Sequence, residues 1–353
     1  MPSPSTPAAS TPAPPAALTP AQVHALPKVE LHLHIEGTLE PELILRLAER
    51  NGIRLPYANL AELEAQYEFT DLQSFLDLYY ANMAVLQTAD DFADLTRAYL
   101  VRAKAAGVRH AEVFLDPQAH TVRGVALATC VAGVAEVLEQ SEAEFGMTSA
   151  LIVTFLRDRP AAEALAMLEE LIDMEAPIEG IGLDSAEVGH APADFVEVFA
   201  LARAHGLECV AHAGEEGPPE YVWQALELLQ VSRVDHGIRS LEDEALVKHL
   251  VEGQIPLTVC PFSNVRLRAV DTLEAHPLPE MLARGMAVTV NSDDPAYFGG
   301  YLDDNFQALV STFGFGANEL ATLSRNAVLA AFLTEDEREP LLVAIEEWQA
   351  AVA

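Results

Sequence analysis

The chain has 353 residues, half of them apolar, and 20 Lys plus Arg against 54 Asp plus Glu give it a formal net charge of −34. A surface this acidic is repelled by phosphate backbones and anionic headgroups, which argues against nucleic-acid and membrane-surface partners and says nothing against a small neutral substrate. Three cysteines, Cys130, Cys209 and Cys260, without C-x-x-C spacing predict neither a disulfide framework nor a thiolate metal site, and they fit a reducing cytoplasm.

The first twenty residues hold seven Pro, five Ala and six Ser or Thr, and no Lys, Arg, Asp or Glu precedes Lys28. Such a segment buries too little surface to offset its ordering entropy. Residues 1–24 are therefore expected as a disordered tail and 25–353 as one domain. The tail lacks the basic start and apolar core of a signal peptide. The longest apolar stretch, near 125–135, is too short to cross a bilayer.

From Lys28 onward, short apolar runs alternate with amphipathic segments. The runs predict eight strands, at 28–35, 108–115, 149–156, 178–184, 207–213, 233–237, 255–260 and 287–292. Between them the spacing predicts helices at 161–174, 193–205, 219–229 and 243–252. Eight such units point to a closed (β/α)8 TIM barrel. An open doubly wound sheet is the rival, and no G-x-G-x-x-G or P-loop sequence supports it. The stretch from Glu40 to Leu100 is too long for one crossover helix. Its Phe69, Phe75, Tyr79, Tyr80 and Met83 predict an extra helical region after strand one, packed on the barrel or lying over its mouth as a lid.

The chemistry-bearing residues gather at the C-terminal ends of the strands, where such barrels place their active sites. Strand one alternates Val29, Leu31, Leu33 and Ile35 with Glu30, His32 and His34, so both imidazoles share a face. Strand five ends in His212 followed by Gly214 and Glu215, strand six in Asp235-His236-Gly237, and strand eight in Asn291-Ser292-Asp293-Asp294-Pro295. Alone, each reads as a core histidine or a helix cap. Together, three His and one Asp make a nitrogen- and oxygen-rich site suited to zinc with room for a water, and a Glu, a His and an Asp remain to move protons beside it. The H-x-E with P-C-x-x-C signature of a different zinc deaminase fold is half-matched at His34-Ile35-Glu36 and fails at Cys260-Pro261.

The motifs Lys28-Val29-Glu30-Leu31-His32-Leu33-His34-Ile35-Glu36-Gly37, His212-Ala213-Gly214-Glu215, Asp235-His236-Gly237 and Asn291 to Pro295 resemble, in order and spacing, the adenosine/adenine deaminase family of metal-dependent amidohydrolase barrels. The resemblance implies one zinc per chain on His32, His34, His212 and Asp293. It implies Glu215 as proton donor to purine N1, His236 as the residue that positions or deprotonates the attacking water, and Asp294 as the partner of purine N7.

The chain departs from the nucleoside branch. Glu36 stands where those members carry Asp near the ribose, and Asp184-Ser185-Ala186-Glu187 replaces their Asp-Leu-Ala-Gly. Free adenine has a ring N–H that a nucleoside lacks. Ser185 or Glu187 is expected to accept it, and the bulk of Glu187 to fill ribose space. Longer matches, such as Asp294 to Tyr301, resemble the adenine deaminase branch. The implied activity is hydrolysis of adenine to hypoxanthine and ammonia in the cytoplasm, in purine salvage or nitrogen release. Deamination of N6-substituted adenines or of adenosine is the alternative. A non-catalytic purine-binding zinc barrel is the rival of another class. Oligomeric state is not legible. His110, Glu112 and Asp116 are expected behind the ligand histidines, Cys209 and Cys260 as buried fillers, and His24, His120, His190, His205, His249 and His276 at the surface.

Overall fold

A computed structural model describes residues 17–352. Eight strands form one sheet: β1 (Lys28–Glu30), β2 (Val108–Leu115), β3 (Thr148–Leu156), β4 (Gly180–Asp184), β5 (Glu208–Ala213), β6 (Arg233–His236), β7 (Leu257–Val259) and β8 (Val288–Val290). Their spatial order is their chain order, and every neighbouring pair is parallel. Parallel neighbours need crossovers, and the intervening amphipathic segments supply them as helices that wrap the sheet. Residues just past β1 and β8 close the seam. His34 N–H donates to the Asp293 carbonyl (3.1 Å), and Asp293 N–H donates to that of His32 (3.1 Å). The outcome is the expected (β/α)8 barrel.

Three expectations need correction. The strand expected over 28–35 keeps a regular ladder only through Glu30, because the side chain of Asn291 takes the Leu31 N–H (2.8 Å) in place of a backbone carbonyl. Leu33 and His34 then make single bridges to Asp293 and Phe114, and the chain turns into a 3-10 helix at Ile35–Thr38. Second, part of the segment expected as a tail, 1–24, is helical. Residues 1–16 lie outside the described residues, but Pro20–Ala25 is a helix capped reciprocally by Thr19 and Gln22. Val23 of this helix is buried, and the Trp348 indole donates to the Gln22 carbonyl (2.8 Å). Third, His110 and Glu112 do not back the ligand histidines. Glu112 pairs with the fully buried Arg233 at the start of β6 and accepts from His110 and from Phe332 N–H. Arg233 also donates to the carbonyls of Leu31 (3.1 Å) and Ala330 (3.3 Å), tying the C-terminal segment to the barrel interior.

The stretch between β1 and β2 folds into helices at Pro41–Asn51, Leu60–Glu64, Leu72–Asn82 and Ala89–Ala105. Phe69, Leu72, Phe75, Leu76, Tyr79 and Met83 form an apolar cluster of their own with Leu267, Tyr297 and Phe298, set apart from the main core. Leu72, Phe75, Leu76, Tyr79 and Leu267 of this cluster line the same cavity as His34 and His212. Cys209 and Cys260 are buried as expected, and Cys130 is buried too. Among the described residues no helix is long and apolar enough to cross a membrane.

Candidate active site

The strand ends aim their polar side chains inward by an unusual backbone. Ser185, His236 and Asp293 follow β4, end β6 and follow β8, and they hold φ of +70°, +63° and +63°. Left-handed φ at non-glycine residues costs about 1–3 kcal/mol each and persists where the surroundings dictate it. Gly214 (φ +73°) reverses the chain between His212 and Glu215, and a Cβ there would lie 2.7 Å from Val222.

His32, His34, His212 and Asp293 converge in the buried centre of this end. His34 Nε2 stands 3.2 Å from His212 Nε2. Asp293 Oδ1 lies 3.4 Å from His32 Nε2 and 3.6 Å from His34 Nε2. His32 Nε2 is buried without a hydrogen-bond partner. The opposite ring nitrogens face acceptors. His32 Nδ1 meets the Thr258 hydroxyl (2.9 Å), which donates to Asp235 Oδ1 (2.7 Å). His212 Nδ1 faces Asp235 Oδ2 (3.4 Å), and His34 Nδ1 faces Asp116 and Asp184 (3.5 Å each). Outward nitrogens turned to acceptors leave three lone pairs converging on one carboxylate, the donor set of a divalent metal such as zinc. Asp116 thus takes the supporting place expected of it. His236 lies at the same centre, with Nε2 3.8 Å from Asp293 Oδ2.

Glu215 sits beside His236, its Oε2 3.5 Å from Nε2. Burial, and then the Asp293 charge, push its carboxyl well above the usual carboxylate range, so it keeps a proton at neutral pH. Burial and the neighbouring His32 push the His236 imidazole well below its ordinary value, so it is neutral. Burial and Asp293 likewise raise Asp294. The loop of Asp294 packs against Gly37, where a Cβ would fall 2.1 Å from Asp294 Oδ1. That oxygen is buried and unpartnered.

A cavity joins these groups. Its polar lining is His34, His212, Glu215, His236, Asp293 and Asp294 with Tyr80, Asp116, Asp184 and Ser185, and its apolar lining includes Leu72, Phe75, Leu76 and Tyr79. The Tyr80 and Ser185 hydroxyls are hydrogen-bonded to each other (3.1 Å). Burial and the Asp116 charge push Asp184 well above the carboxylate range, so the pair carries a proton.

Two candidate substrate contacts lie elsewhere. Glu187 does not line the cavity. Its carboxylate accepts the backbone N–H groups of Gly214 (2.7 Å), Glu215 (3.1 Å), Glu216 (2.8 Å) and Gly217 (2.7 Å). A carboxylate so satisfied has no lone pair directed at a ligand. Glu36 is fully buried and accepts from Asp116 N–H (3.1 Å) and His120 (2.7 Å). That ties the loop after β1 to the loop after β2. His120 and His276, expected at the surface, are both buried. Sequence reasoning missed Thr258 and Asn264 as site residues and named Tyr80 only as part of the helical region after strand one. None sits in a motif with chemistry of its own, and only the barrel's closure brings them near the cluster.

The Adenosine deaminase family model matches residues 27–348. A relative from Streptomyces coelicolor named adenine deaminase is 56% identical over 308 residues, covering 87% of this chain and 91% of that protein. The crystal structure of an adenine deaminase from Arthrobacter aurescens is similar at a TM-score of 0.91 with 61% identity, covering 92% of this chain and 99% of that one. An amidohydrolase from Burkholderia ambifaria, crystallised with bound Zn, is similar at a TM-score of 0.87 with 30% identity, covering 96% of each chain. Motifs, barrel and convergent donors agree with these likenesses, and the chain belongs to the adenosine deaminase family.

Proposed function

We propose that the chain hydrolyses adenine to hypoxanthine and ammonia in the cytoplasm, as a hydrolase of cyclic amidine C–N bonds, with one zinc ion on His32, His34, His212 and Asp293. The observation that carries this reading is the convergence of those four donors with Glu215 and His236 at one buried cavity. When bound, zinc supplies the Lewis acidity that makes water a competent nucleophile at neutral pH. The chain's own groups do the rest. Attack of water at C6 breaks the ring's aromaticity and pushes electron density onto N1, and Glu215 holds the proton N1 then needs. His236, at the same centre as Asp293, orients the water. The raised carboxyl of Asp294 favours its protonated form, which can donate to N7. One proton of the water restores Glu215 and the other passes to the exocyclic nitrogen, which leaves as ammonia. The apolar lining of Leu72, Phe75, Leu76 and Tyr79 excludes bulk water and lowers the local dielectric.

The oxygen-rich lining favours the free base. Ser185, Asp116 and Asp184 offer acceptors to a purine in the cavity, and the ring N–H of free adenine would pair with one of them. A nucleoside has no such N–H and would leave a buried acceptor unmet, at a cost of about 1–3 kcal/mol.

The test is ammonia release from adenine by the zinc-loaded protein, its chelated form and the Glu215→Gln variant. Chelation is expected to abolish release and zinc to restore it. Glu215→Gln is expected to cut kcat by about 10² to 10⁴ with zinc content unchanged. Release from adenine that survives both changes would overturn the mechanism, and no release by the loaded wild type would overturn the function.

A further inference from the structure

We propose that His276 and Asn264 form a positioning relay that holds His236 in its Nε2–H tautomer and fixes Glu215 beside it. Asn264 lies on the short helix Pro261–Arg266 that follows β7, and His276 lies in the loop between the 3-10 turn Leu273–Ala275 and the helix Leu278–Ala283. Both side chains are buried. This role rests on the deaminase reading above.

The backbone N–H of Leu278 can only donate, and it points at His276 Nδ1 from 3.0 Å. Nδ1 is therefore an acceptor. Burial pushes the His276 imidazole down to about 4, so the ring is neutral near pH 7 and its single proton sits on Nε2. Nε2 lies 3.1 Å from Asn264 Oδ1, and the Asn264 amide is turned with its oxygen toward His276. Its nitrogen then faces the active site, 3.4 Å from His236 Nδ1 and 3.5 Å from Glu215 Oε1. These lengths are on the long side, as catalytic contacts are before substrate closes on them.

An amide nitrogen only donates, so His236 Nδ1 accepts. With Nδ1 an acceptor, the ring's proton is on Nε2, toward Glu215 Oε2 and Asp293 Oδ2. His236 then meets the attacking water as an N–H donor that orients the oxygen. Taking a proton from that water would need the other tautomer, which the relay opposes. One backbone amide thus sets the proton position of a catalytic imidazole through two intermediate side chains.

The relay is tested on zinc-loaded, 15N-histidine-labelled protein by long-range 1H–15N correlation, together with steady-state kinetics on adenine. The variants His276→Gln, His276→Asn and His276→Leu separate donor from bulk. The amide nitrogen of Gln reaches the place of Nε2, whereas that of Asn reaches only the place of Nδ1. Wild type and His276→Gln are expected to show His236 protonated on Nε2 alone. His276→Asn and His276→Leu are expected to free the Asn264 amide and give a mixture of His236 tautomers. Their kcat should fall by about tenfold, the worth of one hydrogen bond, with KM within about twofold. Wild-type His236 protonated on Nδ1 would overturn the relay, as would Asn and Leu variants that match wild type in tautomer and kcat. If His276→Leu fails to fold, the wild-type spectrum and the contrast between Gln and Asn still decide. The tautomer is read without turnover, so an inactive wild type would sink the deaminase reading and leave this measurement standing.

Discussion

Glu187 shows how one side chain serves the reaction without touching substrate. Four backbone N–H groups in a row, from Gly214 to Gly217, close on its two oxygens. They fix the loop that carries Glu215 and give a buried anion the donors it requires. Sequence reading placed Glu187 against the purine because a carboxylate stood where a glycine was expected, and the fold turns it the other way. Glu187→Gln tests which role holds. The amide nitrogen would face N–H donors, so the melting temperature should fall by an amount corresponding to about 1–3 kcal/mol and kcat should fall with it. Unchanged stability with a raised KM for adenine alone would return Glu187 to the substrate.

At the scale of elements, the helix Ala89–Ala105 leads the chain back from the cavity-lining region into β2, and its start is held by charge. Asp91 accepts from the N–H groups of Gln87 (2.9 Å) and Thr88 (2.8 Å), from Asn51 (2.9 Å) and from Arg50. Burial works against its ionisation, but the Gln87 and Arg50 contacts win, and its pKa lies below the ordinary value. A folded-state pKa below the unfolded one means stabilisation that is present above about pH 4 and is lost as pH falls through the folded value. Asp91→Asn should therefore destabilise the protein by about 1–2 kcal/mol at pH 7, and the gap to wild type should narrow as pH drops below about 4. Denaturant melts at both pH values measure it, and a gap independent of pH would contradict the charge argument.

At the scale of the whole molecule, what could be read in advance was what repeats or what clusters. Eight apolar runs separated by helical periodicity announced the barrel, and His32, His34, His212 and Asp293 stood out because each lies at or just past the C-terminal end of a strand. The parts that could not be read depend on closure. Asp235 and Thr258 come from β6 and β7 and meet behind His32 and His212 only in the folded barrel. Asp116 follows the end of β2, whereas His110 and Glu112 lie earlier on that strand and so stand deeper in the barrel, beside Arg233. The helix at Pro20–Ala25 hid in a Pro-rich segment because its stability comes from packing against Trp348, more than three hundred residues away. The same closure shapes the central claim, that this barrel deaminates the free base. The direct measurement is kcat/KM for ammonia release from adenine and from adenosine with the zinc-loaded protein. A preference for adenine of at least about fivefold is expected, the least that an unmet buried acceptor would cost. Equal or greater efficiency on adenosine would contradict it.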